Sequence, residues 1–295
     1  MPASGEMNPI AAGRLLRADL RRAREAVGLT QIQVADLLEW SLSKVARIES
    51  GDVGISIPDL RGLCAHLEIG TAATEVLVQR AQAARRRGWW HDDRAEIPPA
   101  LLTLIGLESD ADQVGEYVSA FVPGLMQTPG YAAALLHAAS LGAEERQLDR
   151  RLAIRLRRQA NFHEQREPPD TSVVIEEAVL YRRVGDRQVM ADQMKRLAEL
   201  SRRPYVTIRV LPFEVPLYRA DSFTVIRSEV TGTVVYSEAR LADALFEEGP
   251  FLAHFESQFA ELWEAALDAD RTGQLLHRVA EAYAADDDPR PWLWD

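Results

Sequence analysis

Between residues 30 and 51 the chain reads TQIQVADLLEWSLSKVARIESG, and Ser43, Lys44 and Arg47 bring a hydroxyl, an ammonium and a guanidinium together within five positions of it. These groups suit the edges of base pairs: Arg and Lys donate to guanine acceptors in the major groove, and Ser bonds to groups of either kind. Thr30, Gln31, Ser41 and Leu42 complete the candidate set, at the starts of two short segments. The ordinary alternative is a helical hairpin with a solvated polar face.

Other residues with chemical potential are scattered. The six histidines, His66, His91, His137, His163, His254 and His277, show no HxxxH or HxH spacing and no paired cysteines accompany them, so no metal site is expected. Glu176 and Glu177 are adjacent, which sets them on opposite sides of an extended segment and makes them a poor acid and base pair. There is no P-loop, nucleophile elbow or dinucleotide fingerprint, and GLES at 106–109 lacks the setting for one. The expectation is a binding protein without cofactor, not an enzyme.

The elements that must position the 30–51 residues follow from caps and periodicity. Thr30 with Gln33 forms a capping box, which predicts a helix from Gln31 to about Leu38 with Val34, Ala35 and Leu38 inward. Ser41 caps a second helix, in which Val45 and Ile48 face inward and Ser43, Lys44 and Arg47 outward; Gly51 closes it. Ahead of them, Leu16, Leu20, Ala23 and Val27 mark a supporting helix that Gly28 stops in a left-handed turn. Its arginines, Arg14, Arg17, Arg21, Arg22 and Arg24, read mainly as a solvated face, with phosphate contact for one or two of the early ones. Ser56, Pro58 and Asp59 announce a fourth helix to about Leu67, and a weaker fifth spans Thr74 to Arg87.

The chain has 295 residues and a net charge of −11, which is unevenly spread. Residues 1–90 carry 12 Lys and Arg against 10 Asp and Glu, whereas residues 91–295 carry 22 against 35. A first part at +2 followed by a second at −13 predicts weak, salt-dependent DNA affinity and a second part repelled by DNA. No apolar run reaches the ~18 to 20 residues that span a bilayer, and MPASGEMNPIAAGR has no signal-peptide core, so a cytoplasmic protein, nucleoid-associated when on DNA, is expected. The single cysteine, Cys64, sits in the apolar stripe Leu60, Leu63, Cys64, Leu67 and reads as buried.

After the arginine triplet 85–87, Gly88 precedes Trp89 and Trp90, whose large apolar areas are expected to dock on the second domain. Beyond residue 97 helices and strands mix. Extended segments are predicted at 113–122, 172–175 and 206–210, and a hairpin from 223–226 and 233–236. Helices are predicted at 144–166, 189–201, 250–269 and 270–284, the first with seven arginines for which internal carboxylate pairing is the default. The turn 122–128, beside 173–177 and 208–213, suggests a ligand or partner surface walled by Phe121, Met126 and Phe213 with Glu176 at its edge; core packing is the alternative. The tail DDDPRPWLWD ends the chain, with Trp292 and Trp294 as anchors to this or another chain.

The first part resembles the lambda-repressor-like, or XRE-type, helix-turn-helix family in GLTQ at 28–31, in Ala35 and Leu38, and in WSLSKVARIESG at 40–51. The resemblance implies phosphate contact by Gln31 and base contact by Leu42, Ser43 and Arg47. Glu39 stands where the family usually has Gly, in a conformation that penalises a side chain. Leu42 stands where related repressors often have Gln, which implies contact with a thymine methyl.

The second part resembles the DUF5753 family, found behind XRE readers in actinobacteria and associated with Scr1-type antitoxin-like regulators. The matching residues are Trp89-Trp90, GLES at 106–109, VPGLMQTPGYA at 122–132, RLAIRLRRQ at 151–159, Glu176-Glu177-Ala178, VTIRVLPF at 206–213 and SFTVI at 222–226. That resemblance implies a small partner of the DUF397 type.

The expected architecture is mainly α with a smaller α+β part: an arm at 1–12, a five-helix reader domain at 13–87, a Trp-containing linker at 88–96, an α+β domain at 97–285 and a tail at 286–295. The expected role is a homodimeric regulator of transcription on a pseudo-palindromic double-stranded operator, its second domain serving dimerisation and partner or ligand sensing. The alternative is an antitoxin-like protein acting through its small partner, with DNA binding for autoregulation.

Overall fold

The computed structural model describes residues 7–140, 142–216, 221–237, 244–247 and 249–289. Trp292 and Trp294, assigned above as anchors, lie outside the described residues. Two compact units divide the chain between Arg94 and Ala95, within the expected linker. Among the described residues no helix is long and apolar enough to cross a membrane.

The first unit is helical: α1 (Pro9–Ala26), α2 (Gln31–Leu37), α3 (Leu42–Ser50), α4 (Ile57–His66) and α5 (Thr71–Ala83). Its core joins Leu16 and Leu20 of α1 to Val34, Ala35, Val45, Ile48, Leu60, Leu63, Cys64, Leu77 and Val78. The arm is shorter than expected, because Asn8 accepts a hydrogen bond from the Ile10 amide and Pro9 supplies a first-turn residue that needs no donor. Ala11 and Ala12 are then fully buried. Val27, assigned above to the apolar stripe of α1, lies past its end and is exposed. Helix α5 starts before Thr74, whose hydroxyl donates to the Ile69 and Gly70 carbonyls instead of capping. Past α5, the Trp90 ring lies where a Cβ on Gly88 would fall, 2.3 Å away, and meets Trp89 edge-on.

The second unit is built on a six-stranded sheet of order β3-β2-β1-β4-β5-β6, with β1 (Gln113–Val118), β2 (Asp170–Glu176), β3 (Val206–Leu211), β4 (Phe223–Ser228), β5 (Gly232–Ser237) and β6 (Ala244–Phe246). Strands β1, β2 and β3 are parallel, and β4, β5 and β6 continue antiparallel. Parallel neighbours need crossovers, and both crossovers lie on one face, as right-handed connections stepping in one direction must. The first carries α7 (Pro129–Ala139) and α8 (Glu145–His163); the second carries α9 (Glu177–Tyr181) and α10 (Arg187–Leu200). On that face, together with α6 (Pro99–Glu108) and the C-terminal α12 (Ala269–Ala284), they bury Val114, Val173, Ile175, Ile208, Val210, Ile226 and Val234. The opposite face carries α11 (Pro250–Ala265), whose Phe259 and Leu262 meet Tyr117, Val174, Leu211, Phe223 and Val225. Phe259 lies so close to Gly115 that a Cβ there would sit 3.0 Å from its ring. The molecule is thus mainly α with a smaller α+β part.

Candidate nucleic-acid interface

Helices α2 and α3 form the site. Thr30 accepts from the Gln33 amide while the Gln33 side chain accepts from the Thr30 amide at 2.8 Å, so both ends of the box are closed. After Leu38 the chain turns with Glu39 at φ 54°, and the Trp40 amide donates to the Ala35 carbonyl at 2.8 Å. A side chain does occupy the left-handed position. Ser41 then caps α3 by accepting from the Lys44 amide at 3.2 Å, and Gly51 ends it at φ 89°. Val45 and Ile48 are buried beneath, so Leu42, Ser43 and Arg47 are exposed on the other side.

The candidates divide into engaged and open groups. Lys44 donates to Asp59 of α4 at 3.1 Å and lies 3.7 Å from the centre of the Trp40 ring, so its ammonium is held between α3 and α4. The bond from Lys44 keeps the Asp59 carboxyl below its usual range. Gln31 donates to Glu49 at 2.9 Å. Among the described residues, the side chains of Ser43 and Arg47 make no hydrogen bond or ion pair. Arg47 is therefore the cation of α3 that stands open.

Glu49 is the residue the sequence reading missed. It is buried at 7% exposure, and Arg24 of α1 grips both its oxygens at 2.7 and 3.0 Å. Burial acts against its charge, but the hydrogen bonds from Arg24 and Gln31 and the nearby charges of Arg24 and Arg21 outweigh burial, and the carboxyl is held below its ordinary pKa. The signal was present: Glu49 lies four residues past Val45, on the inward stripe of α3.

The α1 arginines are mostly structural. Arg24 also donates to the Leu29 carbonyl, Arg21 reaches the Glu49 carbonyl at 3.4 Å, and Arg17 fills the space over Gly51, where a Cβ would meet its guanidinium at 2.7 Å. Residues 17, 21 and 24 share one face of α1, and all three meet the C-terminal end of α3, where cations oppose the negative end of the helix dipole. Helix α3 is thus clamped from behind.

In the second unit the suggested surface separates. Met126 is buried at 1% exposure among Tyr131, Val173 and Met190 and is no part of a surface, which corrects the sequence reading. The cause is the anchoring of its turn. Gln127 donates to the Val122 carbonyl, Gln159 to those of Gly124 and Gln127, and Gln193 to that of Met126, while Gln193 accepts from the Thr128 amide. Four turn carbonyls are thus satisfied by buried amides, and core packing accounts for the motif. Glu176 lies on the opposite face of the sheet, half-buried and hydrogen-bonded by the Tyr117 hydroxyl; burial raises its pKa. Phe121 and Phe213 are exposed, the latter stacked on Tyr181 with its amide bonded to Glu177 at 3.1 Å.

Three arginines of α8 bond to partners within the second unit, one of them a carboxylate. Arg158 pairs with Glu108 at 2.5 and 2.9 Å, Arg155 bonds Gln127 and Arg151 bonds Ser140. Among the described residues no group of three metal-ligating side chains occurs.

With this geometry, the class is that of a helix-turn-helix regulator: residues 15–77 match the family described as helix-turn-helix domain, which supports binding to DNA. Residues 101–278, more than half of the chain, match the family described as a domain of unknown function, DUF5753, and the protein belongs to that family. No curated protein and no solved structure matches the chain.

Proposed function

We propose that the protein is a sequence-specific, non-catalytic transcription regulator in which α3 enters the major groove, Leu42, Ser43 and Arg47 meet base edges, and Thr30, Gln31 and Ser41 lie against the phosphate backbone. The observation that carries this is the open Arg47 on a helix whose other side is core and whose far end is clamped by α1. Lys44 serves a different purpose in this reading: held by Asp59 and Trp40, it fixes α3 on α4. The acidic second domain stays off the duplex and serves for dimerisation and for binding a partner or ligand, a small DUF397-type protein among them. In a two-fold dimer the two α3 helices meet half-sites about 34 Å apart.

Gel shifts on a selected operator test this. Arg47→Ala is expected to relax the choice at one base pair and weaken that site by about 1 to 3 kcal/mol, while Gln31→Ala weakens all sequences nearly alike. Equal losses on operator and random DNA for Arg47→Ala would remove it from base reading. Co-purification of the full chain tests the second domain: a homodimer, alone or with a stoichiometric small protein, is expected, and a monomer without partner would sink that half of the proposal.

A further inference from the structure

Ile32 has no structural reason to be where it is. It is the second residue of α2, β-branched and therefore a weaker helix former than many alternatives, and it remains 58% exposed. Leu42, the first residue of α3, is 45% exposed. The two line one open groove of about 560 Å³, together with Arg24, Glu25, Gly28, Leu29, Thr30 and Gln31. The polar groups nearby are largely spent: Arg24 on Glu49 and Glu25, Gln31 on Glu49, Lys44 on Asp59, and Thr30 in its capping box. What α2 and α3 bring to this groove is two unburied aliphatic side chains, Ile32 and Leu42.

Major-groove edges are polar with one exception, the 5-methyl group of thymine. We infer that Ile32 is a specificity-determining residue which, with Leu42, receives the 5-methyl groups of thymines, so that the operator is selected by 5-methylpyrimidines at positions lying against this groove. The inference rests on the reading of α3 as the major-groove helix. It extends base reading from α3 to a residue of α2 and makes the recognition chemistry largely apolar. Burying one methyl-sized group on aliphatic carbon corresponds to about a 4-fold change in affinity.

The experiment uses the full-length protein and a site selected from a random duplex pool. Each thymine of that site is replaced in turn by deoxyuridine, which removes only the methyl group. The expected result is a loss of about 4-fold at one position per half-site that disappears in Ile32→Ala, and a similar loss at a second position that disappears in Leu42→Ala. Both side chains are exposed, so the variants should keep the wild-type melting temperature, and neither should change the slope of affinity against salt. Indifference to deoxyuridine throughout, or methyl losses that are the same at every position in Ile32→Ala as in the wild type, overturns the inference while leaving the DNA-reading function standing. A pool that yields no enriched sequence overturns both. Loss of a co-purifying protein on Ile32→Ala, with operator binding unchanged, would reassign the groove to a protein partner and overturn it as well.

Discussion

Glu49 and Arg24 set the stability of the site at the scale of single residues. Both are nearly buried, with side-chain exposures of 7% and 12%, so removing one leaves the other charged and without its partner in the interior. Glu49→Ala is expected to destabilise the first unit by about 3 kcal/mol, measured by denaturant unfolding followed by circular dichroism. The pair also makes a pH prediction. The folded pKa of Glu49 lies below the unfolded value of about 4.3, so its contribution is complete above that value and fades as pH falls through the lowered folded value. Glu49→Gln should flatten this acid-side slope. An unchanged slope would show that the carboxylate does not carry it. Because Gln31 bonds the same carboxylate, the phosphate-side role proposed for Gln31 predicts that either variant also weakens DNA binding without altering its sequence preference.

At the scale of elements, two backbone positions decide whether α2, α3 and the sheet seat correctly. Glu39 holds a left-handed conformation that costs a side chain roughly 1 to 2 kcal/mol relative to glycine, partly offset by the greater unfolded entropy of glycine. Glu39→Gly should therefore raise stability by about 0.5 to 1 kcal/mol, and Glu39→Ile should lower it; thermal melts of both variants decide the sign. The turn after α4 repeats the device, with Glu68 at φ 56° and the Ile69 amide donating to the Cys64 carbonyl. In the second unit Gly115 lets the Phe259 ring lie against β1, so Gly115→Val should cost about 1 to 3 kcal/mol through overpacking. Calorimetry showing wild-type unfolding for Gly115→Val would mean that α11 shifts without cost. Elements set by caps and period were readable in advance: α2 and α3 with their caps, β3 from its alternation and the β4–β5 hairpin. Those that escaped lack such signals. Helix α6 is apolar along most of its length, α9 is a five-residue turn of helix directly after β2, and β6 has three residues.

At the scale of the whole molecule, charge is partitioned: +2 in residues 1–90 and −13 in residues 91–295. Lys44, Arg24, Arg22, Arg61 and Arg80, five of the twelve cations in residues 1–90, are paired to carboxylates, which limits those available to phosphates. The slope of log affinity against log salt should accordingly be shallow, about −4 to −5 if the proposed dimer neutralises some five phosphates. A slope near −10 would mean that the ion pairs open on DNA. By itself the sequence determined the period, caps and breakers of α2 and α3 and the uneven charge, because these depend on neighbours a few residues apart, while the strained position at Glu39 was implied by the family resemblance. Only the tertiary structure decided which polar groups are already taken. Lys44 is claimed by Asp59, Gln31 by Glu49, and the carbonyls of the 122–128 turn by Gln127, Gln159 and Gln193. Such pairings join residues from up to 67 positions apart, and a hydrogen bond depends on ångström-scale geometry that no local spacing encodes.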